Sequence, residues 1–271
     1  MSDRIREQRD LSRIKAVFFD IDGTLVSFKS HRIPDSAGRA LDQLRARGIK
    51  VFIATGRQLR YINNVGDRVF DGYVTLNGSY CLAGRDKVIY KHSIDPADIE
   101  SLIRFQKREP FPCALVVEEG TFQNYVDDSV RAVYRLLNFP EPEPCSMEEY
   151  RDKEVFQLIA FFTKEQEGRI IAALPHCEAT RWNPLFADVI PAGSSKAVGI
   201  DKMIAHFGIS LEETMAFGDG GNDIPMLRHA GIGVALGNAA DEVKAAADYV
   251  TTSVDEEGVW NALAHFGLVN D

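Results

Sequence analysis

The stretch that decides the fold is Lys15-Ala16-Val17-Phe18-Phe19-Asp20-Ile21-Asp22-Gly23-Thr24. The apolar run from Ala16 to Phe19 lacks the alternation of a half-solvated strand, and it predicts a strand buried on both faces of a parallel sheet. The run ends on two carboxylates separated by one residue, then a glycine. In open α/β sheets ligands bind beyond the carboxyl ends of the strands. Alternation turns Asp20 and Asp22 to the same side while strand geometry lasts, and Gly23 permits the backbone bend that leaves the sheet. A carboxylate there can attack phosphorus, and a second can move the proton of the leaving oxygen and then of water. A calcium loop does not fit: Gly23 follows Asp22 directly, and His31 stands where the loop's closing Glu belongs.

Working outward, Pro34–Gly48 predicts a helix, with Pro34 in the first turn, Ala37, Leu41 and Leu44 at helical spacing and Gly48 as its stop. Ile49–Ala54 predicts a second buried strand, Gln58–Phe70 a helix and Tyr73–Leu76 a third strand. This β-α-β-α-β rhythm implies a parallel sheet with right-handed crossovers. It then breaks. A helix from Asp95-Pro96 to Lys107, strands at Ala114–Val117 and Thr121–Val126, a helix over Asp128–Leu137 and a proline-rich loop over Phe139–Cys145 follow. A strand at Val155–Phe162, a helix over Lys164–Leu174 and a strand at Glu178–Trp182 complete an antiparallel α+β unit. The α/β rhythm resumes with helices at Lys196–Phe207, Asp223–His229, Ala239–Ala247 and Glu256–Phe266. Strands at Thr214–Phe217, Ile232–Ala235 and Tyr249–Thr251 lie between them. The expected architecture is a Rossmann-like α/β core in two pieces, 1–81 and 188–271, with an α+β cap inserted at 82–187.

Three more segments carry polar chemistry. Thr55 and Gly56 follow a buried strand and offer a hydroxyl and an amide to phosphate oxygens, although a Thr helix cap before Arg57 reads the same way. Asp219 follows the strand Thr214–Phe217 and is trailed by Gly220-Gly221-Asn222-Asp223. Two acidic strand ends in one sheet, Asp20 and Asp219, suit a magnesium ion, which takes one or two carboxylates plus water and phosphate. The competing reading is a Gly-Asn turn with a capping Asp. Lys196, after Pro191-Ala192-Gly193-Ser194-Ser195, can neutralise phosphate, but a lone lysine is usually a surface residue.

Composition bounds the partners. The chain has 271 residues, 45% hydrophobic and 26% charged, with a net charge of −9. That charge argues against a general nucleic-acid surface. No apolar run reaches membrane-spanning length. The charged start with Arg4, Arg6, Arg9, Arg13 and Lys15 reads as a solvated leader, not a secretion signal. Cys81, Cys113, Cys145 and Cys177 form no Cys-x-x-Cys pair, and no two histidines stand at metal-ligand spacing. Reduced thiols and the missing signal make a cytoplasmic location the expectation.

The four polar segments, in this order, resemble the haloacid dehalogenase-like hydrolases, and the large insertion resembles the cap of their Cof-like branch. Leu76-Asn77-Gly78, Asp188-Val189-Ile190-Pro191, Asp223-Ile224-Pro225-Met226-Leu227, Val234-Ala235-Leu236-Gly237-Asn238-Ala239 and Glu257-Gly258-Val259 extend the likeness across the core. The resemblance implies a Mg²⁺-dependent phosphatase acting on small phosphorylated metabolites, with sugar phosphates the expected class, through an aspartyl-phosphate. It implies Asp20 as nucleophile and Asp22 as general acid and base. It places magnesium on Asp20, the Asp22 carbonyl and Asp219, with Asp223 in support. Phosphate falls to the Ile21 amide, Thr55, Gly56, Lys196 and Asn222. Two positions depart from the family pattern: Ser79, where Ala is common, and Asp188, where Glu is usual and where the cap hinge lies. A phosphotransferase or mutase with the same site, and a non-enzymatic phosphometabolite sensor, are the alternatives. Neither oligomeric state nor the cap residues that set specificity follow from the pattern.

Overall fold

The computed structural model describes residues 13–270; the part of the charged leader with Arg4, Arg6 and Arg9 lies outside the described residues. Among the described residues thirteen strands are formed, β1 (Ala16–Phe19), β2 (Lys50–Ala54), β3 (Gly72–Thr75), β4 (Tyr80–Ala83), β5 (Lys87–Lys91), β6 (Cys113–Val117), β7 (Gly120–Gln123), β8 (Val155–Ala160), β9 (Cys177–Thr180), β10 (Ala187–Pro191), β11 (Thr214–Gly218), β12 (Ile232–Ala235) and β13 (Tyr249–Val250). They form two sheets, an eight-stranded one in the order β13-β12-β11-β1-β2-β3-β4-β5 and a five-stranded one in the order β7-β6-β8-β10-β9. From β13 to β3 every pairing is parallel; β4 and β5 add an antiparallel hairpin at one edge. The five-stranded sheet is wholly antiparallel. This is a parallel-sheet α/β core carrying an inserted α+β cap.

β1 occupies the centre because its side chains are apolar on both faces. Val17 and Phe19 join the cluster beneath the helices Asp35–Ala46 and Gly258–His265, and Ala16 and Phe18 join the opposite cluster beneath Lys196–Phe207 and Ile224–His229. Phe18 stacks on Phe52 with ring centroids 4.7 Å apart, and Phe19 stacks on Phe217 at 4.9 Å. Register then fixes the site. Phe19 stands opposite both Ile53 and Phe217, so the residues just beyond, Asp20, Thr55 and Asp219, emerge together at the carboxyl ends of the parallel strands. The cap has its own core, in which Leu115 and Leu158 of the sheet pack against Ile99, Leu102 and Ile170 of the helices Pro96–Gln106 and Lys164–Ile171.

Several expectations need correction. Gln58–Phe70 is not a helix: only Leu59–Tyr61 forms a 3₁₀ turn. Asn63, Asn64 and Gly66 are poor helix formers, and the Arg57 guanidinium takes the Tyr61 carbonyl at 2.8 Å. The expected helix Ala239–Ala247 is reduced to Asp241–Lys244. The strand expected at Glu178–Trp182 runs over Cys177–Thr180. The strand Tyr80–Ala83 went unread in the sequence, and its hairpin partner Lys87–Lys91, past the expected boundary at residue 81, also belongs to the core sheet. Ala187–Pro191 pairs within the cap sheet. Phe18, Phe19, Phe161 and Phe162 are buried as expected. The four cysteines are free, and no helix among the described residues is long and apolar enough to cross a membrane.

Candidate active site

β1 ends by handing Asp20 out between the ends of β2 and β11, where its amide donates to the Phe217 carbonyl at 3.0 Å. The carboxylate does not stand alone. Lys196 Nζ donates to Asp20 Oδ1 at 2.6 Å and to Asp223 Oδ1 at 2.5 Å. Lys196 is the first residue of the helix Lys196–Phe207, capped by Ser195 Oγ accepting from the Val198 amide. It is completely buried; a buried ammonium is tolerated only when paired in this way. The turn Leu76–Ser79 reaches the same place. Gly78 has φ of +93°, and a Cβ there would lie 1.9 Å from the Ser195 carbonyl oxygen, so only glycine lets the turn abut the Lys196 helix.

β11 delivers Asp219, and the loop after it is closed by Asp223, whose Oδ2 accepts from the amides of Asp219 at 2.9 Å and Gly220 at 2.8 Å. Thr24 Oγ1 donates to Asp219 Oδ1 at 2.6 Å, and Asn238 Nδ2 donates to Asp219 Oδ2 at 3.0 Å. A Cβ on Gly23 would lie 2.3 Å from Asp219 Oδ2, so the glycine after the aspartate pair makes room for the second acidic strand end. One carboxylate oxygen from each of Asp20, Asp219 and Asp223 lies within 4.8 Å of the others. The carboxylate of Asp22 is outside that cluster. Arg57 grips it with Nε to Oδ2 and Nη2 to Oδ1, both at 2.6 Å, while its Nη1 donates to the Tyr61 carbonyl. The guanidinium also lies over the Phe139 ring of the cap, 4.8 Å from its centroid.

The electrostatics are lopsided. Burial pushes the Asp20 carboxyl well above the ordinary carboxylate range; Lys196 opposes this, while Asp223, Asp219 and Asp22 add to it. Burial, then Asp223, pushes Asp219 up to about 7 against the pull of its Thr24 hydrogen bond and Lys196. For Lys196 burial acts downward, but Asp20 and Asp223 outweigh it and raise its pKa. The site therefore holds more negative charge than its own cations offset. Its donor set is hard oxygen, which fits a divalent cation such as Mg²⁺.

A buried amide network ties this floor to the cap. Asn222 Nδ2 donates to Asn77 Oδ1 at 3.0 Å; Asn77 Nδ2 donates to Asp188 Oδ2 at 2.9 Å and to Gln157 Oε1 at 3.1 Å; Gln157 Nε2 donates to Asp188 Oδ1 at 3.0 Å and to the Gly56 carbonyl at 3.2 Å. Asp188, the position where the family pattern has Glu, is pushed up to about 7 by burial despite its Asn77 hydrogen bond and Lys196. Ser79, the other departure, is buried and its Oγ has no partner, so nothing at that position needs a hydroxyl.

A cavity of about 350 Å³ lies between core and cap. Asp20, Asp22, Thr55, Gly56, Asp219 and Asn222 all line it, while Lys196 and Asp223 are buried behind the lining. Ile21 is buried and holds the turn, its carbonyl accepting from the Leu25 and Val26 amides at 3.0 and 2.7 Å. Arg57 is a charged lining residue to which the sequence assigned no role. Its only signal was a cation directly after Thr55-Gly56, which surface arginines share.

The family description of haloacid dehalogenase-like hydrolases matches residues 17–263. The chain is 34% identical over 260 residues to the putative phosphatase YkrA of Bacillus subtilis, covering 94% of this chain and 98% of that one. It is 47% identical to the solved structure of the subclass IIB sugar phosphatase BT4131, with a TM-score of 0.88 over 94% of this chain and 100% of the other. The phosphatase BT1666 from Bacteroides thetaiotaomicron superposes with a TM-score of 0.86 at 41% identity, covering 96% of this chain and 98% of that one. With a carboxylate pair after the central strand, a second acidic strand end beside it and a capped cavity above both, the chain belongs to the haloacid dehalogenase-like hydrolases, in their Cof-like branch, and is an enzyme of the phosphatase kind.

Proposed function

We propose that the protein is a Mg²⁺-dependent phosphatase of small phosphorylated metabolites, with sugar phosphates as the leading substrate class, working through a phosphorylated Asp20. The observation that carries this reading is the Asp20 carboxylate, buried at the cavity floor with one oxygen on Lys196. A sugar phosphatase among the similar structures supports the substrate class.

Asp20 attacks phosphorus with the carboxylate oxygen that Lys196 does not hold, and the leaving alcohol departs on the opposite side, toward the cap. Asp22 gives that alcohol its proton and afterwards takes a proton from the water that hydrolyses the aspartyl-phosphate. Arg57 grips both Asp22 oxygens and fixes the position from which this proton moves. Lys196 offsets charge from behind Asp20, while the Thr55 hydroxyl and the Gly56, Ile21 and Asn222 amides would hold the phosphoryl oxygens as charge redistributes. Asp20, Asp219 and the Asp22 carbonyl would hold the magnesium ion, with Asp223 bracing the loop; when bound, the ion supplies positive charge to the phosphoryl oxygens. The cap excludes bulk water and positions the leaving group.

The test is phosphate release from a panel of sugar phosphates, nucleotides and pyridoxal phosphate, with Mg²⁺ or EDTA. Wild type should release phosphate only with the metal. Asp20→Asn should lose at least about 10⁴-fold in kcat with an unchanged fold by circular dichroism. Turnover surviving in a folded Asp20→Asn protein overturns the reading.

A further inference from the structure

We infer that the cap-side wall of the cavity selects monophosphate esters whose leaving group carries no charge, and rejects those bearing a second phosphate or a carboxylate. This rests on the phosphatase reading above and adds what the site accepts.

The wall is built from Val133, Tyr134, Leu137, Phe139, Trp182 and Phe186. Val133 and Tyr134 come from the helix Asp128–Leu136, with Leu137 and Phe139 just beyond it. Trp182 and Phe186 follow β9 and pack edge to face at 5.2 Å. The charges that line the cavity, Asp20, Asp22, Arg57, Asp188 and Asp219, belong to the floor and the hinge, and four of the five are acidic. Arg57 is the one cation among the described lining residues, and Asp22 takes both arms of its fork. Two nearby arginines do not help. Arg60 lies against Gly120 but is exposed and outside the lining. Arg181 is committed to Glu167 and to the Phe162 and Phe186 carbonyls.

A second anion held here would lose its water, face an acidic floor and find no cation, which is the arrangement that makes a buried charge most costly. Rejection by an unpaired buried charge is a specificity device in its own right. A sugar ring has apolar C–H faces for the aromatic side chains and hydroxyls for what remains. Thr121, Tyr134 and Asn183, neutral polar residues of the lining, suit such hydroxyls.

The experiment measures kcat/KM for matched pairs, fructose 6-phosphate with fructose 1,6-bisphosphate and glucose 6-phosphate with glucose 1,6-bisphosphate. Acetyl phosphate, too small to reach the wall, serves as the control for chemistry. The singly phosphorylated member should be favoured by roughly 100-fold or more, the scale on which a pocket rejects a mismatched polar group. Leu136→Lys, at a lining position that is 40% exposed and so tolerant of a cation, should narrow that gap about tenfold and leave acetyl phosphate unchanged. If no monophosphate outperforms its bisphosphate, or if a folded Leu136→Lys protein and a folded Leu137→Arg protein both leave the gap where it was, the selectivity is wrong while the phosphatase reading stands. If neither acetyl phosphate nor any of the sugar phosphates is hydrolysed, the phosphatase reading fails and the selectivity falls with it.

Discussion

The two sides of the cavity are built on opposite principles. On the floor, the ionisable side chains of Asp20, Asp223 and Lys196 are buried and that of Asp219 is half-buried, and hydrogen bonds of 2.5–3.0 Å hold them. On the wall, Val133, Phe139, Trp182 and Phe186 meet one another, or the core, through rings and aliphatic surface. The floor needs each partner because a buried charge without one is costly, whereas apolar packing tolerates replacement. Chemistry is therefore fixed at the strand ends, and variation is affordable only overhead.

Lys196→Met puts the largest strain on that contrast. It leaves Asp20 and Asp223 buried without their ammonium, and removing one partner of such a cluster costs about 3–5 kcal/mol. Urea denaturation at pH 8 without metal should show that loss, together with a fall in kcat of at least about 10²-fold. A loss under about 1 kcal/mol, the range of surface pairs, would mean that the floor is not the charged keystone its geometry indicates.

The Asp188 hinge sharpens the comparison, because it belongs to the cap sheet yet behaves like the floor. Its carboxyl is pushed from an ordinary 3.8 up to about 7, chiefly by burial. Between those values the folded protein holds the proton and the unfolded chain does not. The stability Asp188 contributes is thus fully present below about pH 4 and is lost as pH rises through about 7. Asparagine does not titrate. The stability of wild type relative to Asp188→Asn should fall by up to roughly 1.4 kcal/mol for each pH unit in that window. A difference that stays flat from pH 4 to pH 8 would show that Asp188 is solvated or fully compensated by Asn77 and Gln157.

How much of this was legible in the sequence divides along the same line. Asp20, Thr55 and Asp219 were readable because each follows a buried strand, and parallel register brings strand ends together. Lys196 was legible only through family likeness, since nothing local distinguishes a buried lysine from an exposed one. Arg57 was hidden because its partner Asp22 lies 35 residues away. The failed helix at Gln58–Phe70 belongs with it, because the apolar residues Leu59, Ile62 and Val65 sit at helical spacing while a distant contact decides the backbone. The wall was illegible for another reason. Val133, Trp182 and Phe186 are ordinary core residues by type, and only the position of the cap over the core makes them a lining.

Phe139→Ala should have the smallest effect, and it tests where floor ends and wall begins. Phe139 touches both, lying under the Arg57 guanidinium that orients Asp22. A cation over a ring at a partly exposed site contributes about 0.5–1 kcal/mol. Arg57 keeps its bidentate grip on Asp22 and its bond to the Tyr61 carbonyl without that ring. Turnover of acetyl phosphate by Phe139→Ala should therefore stay within about threefold of wild type, while KM for a sugar phosphate rises by up to about tenfold. If instead kcat for acetyl phosphate collapses, Arg57 depends on the cap to hold Asp22, and the proton-transfer machinery extends into the wall.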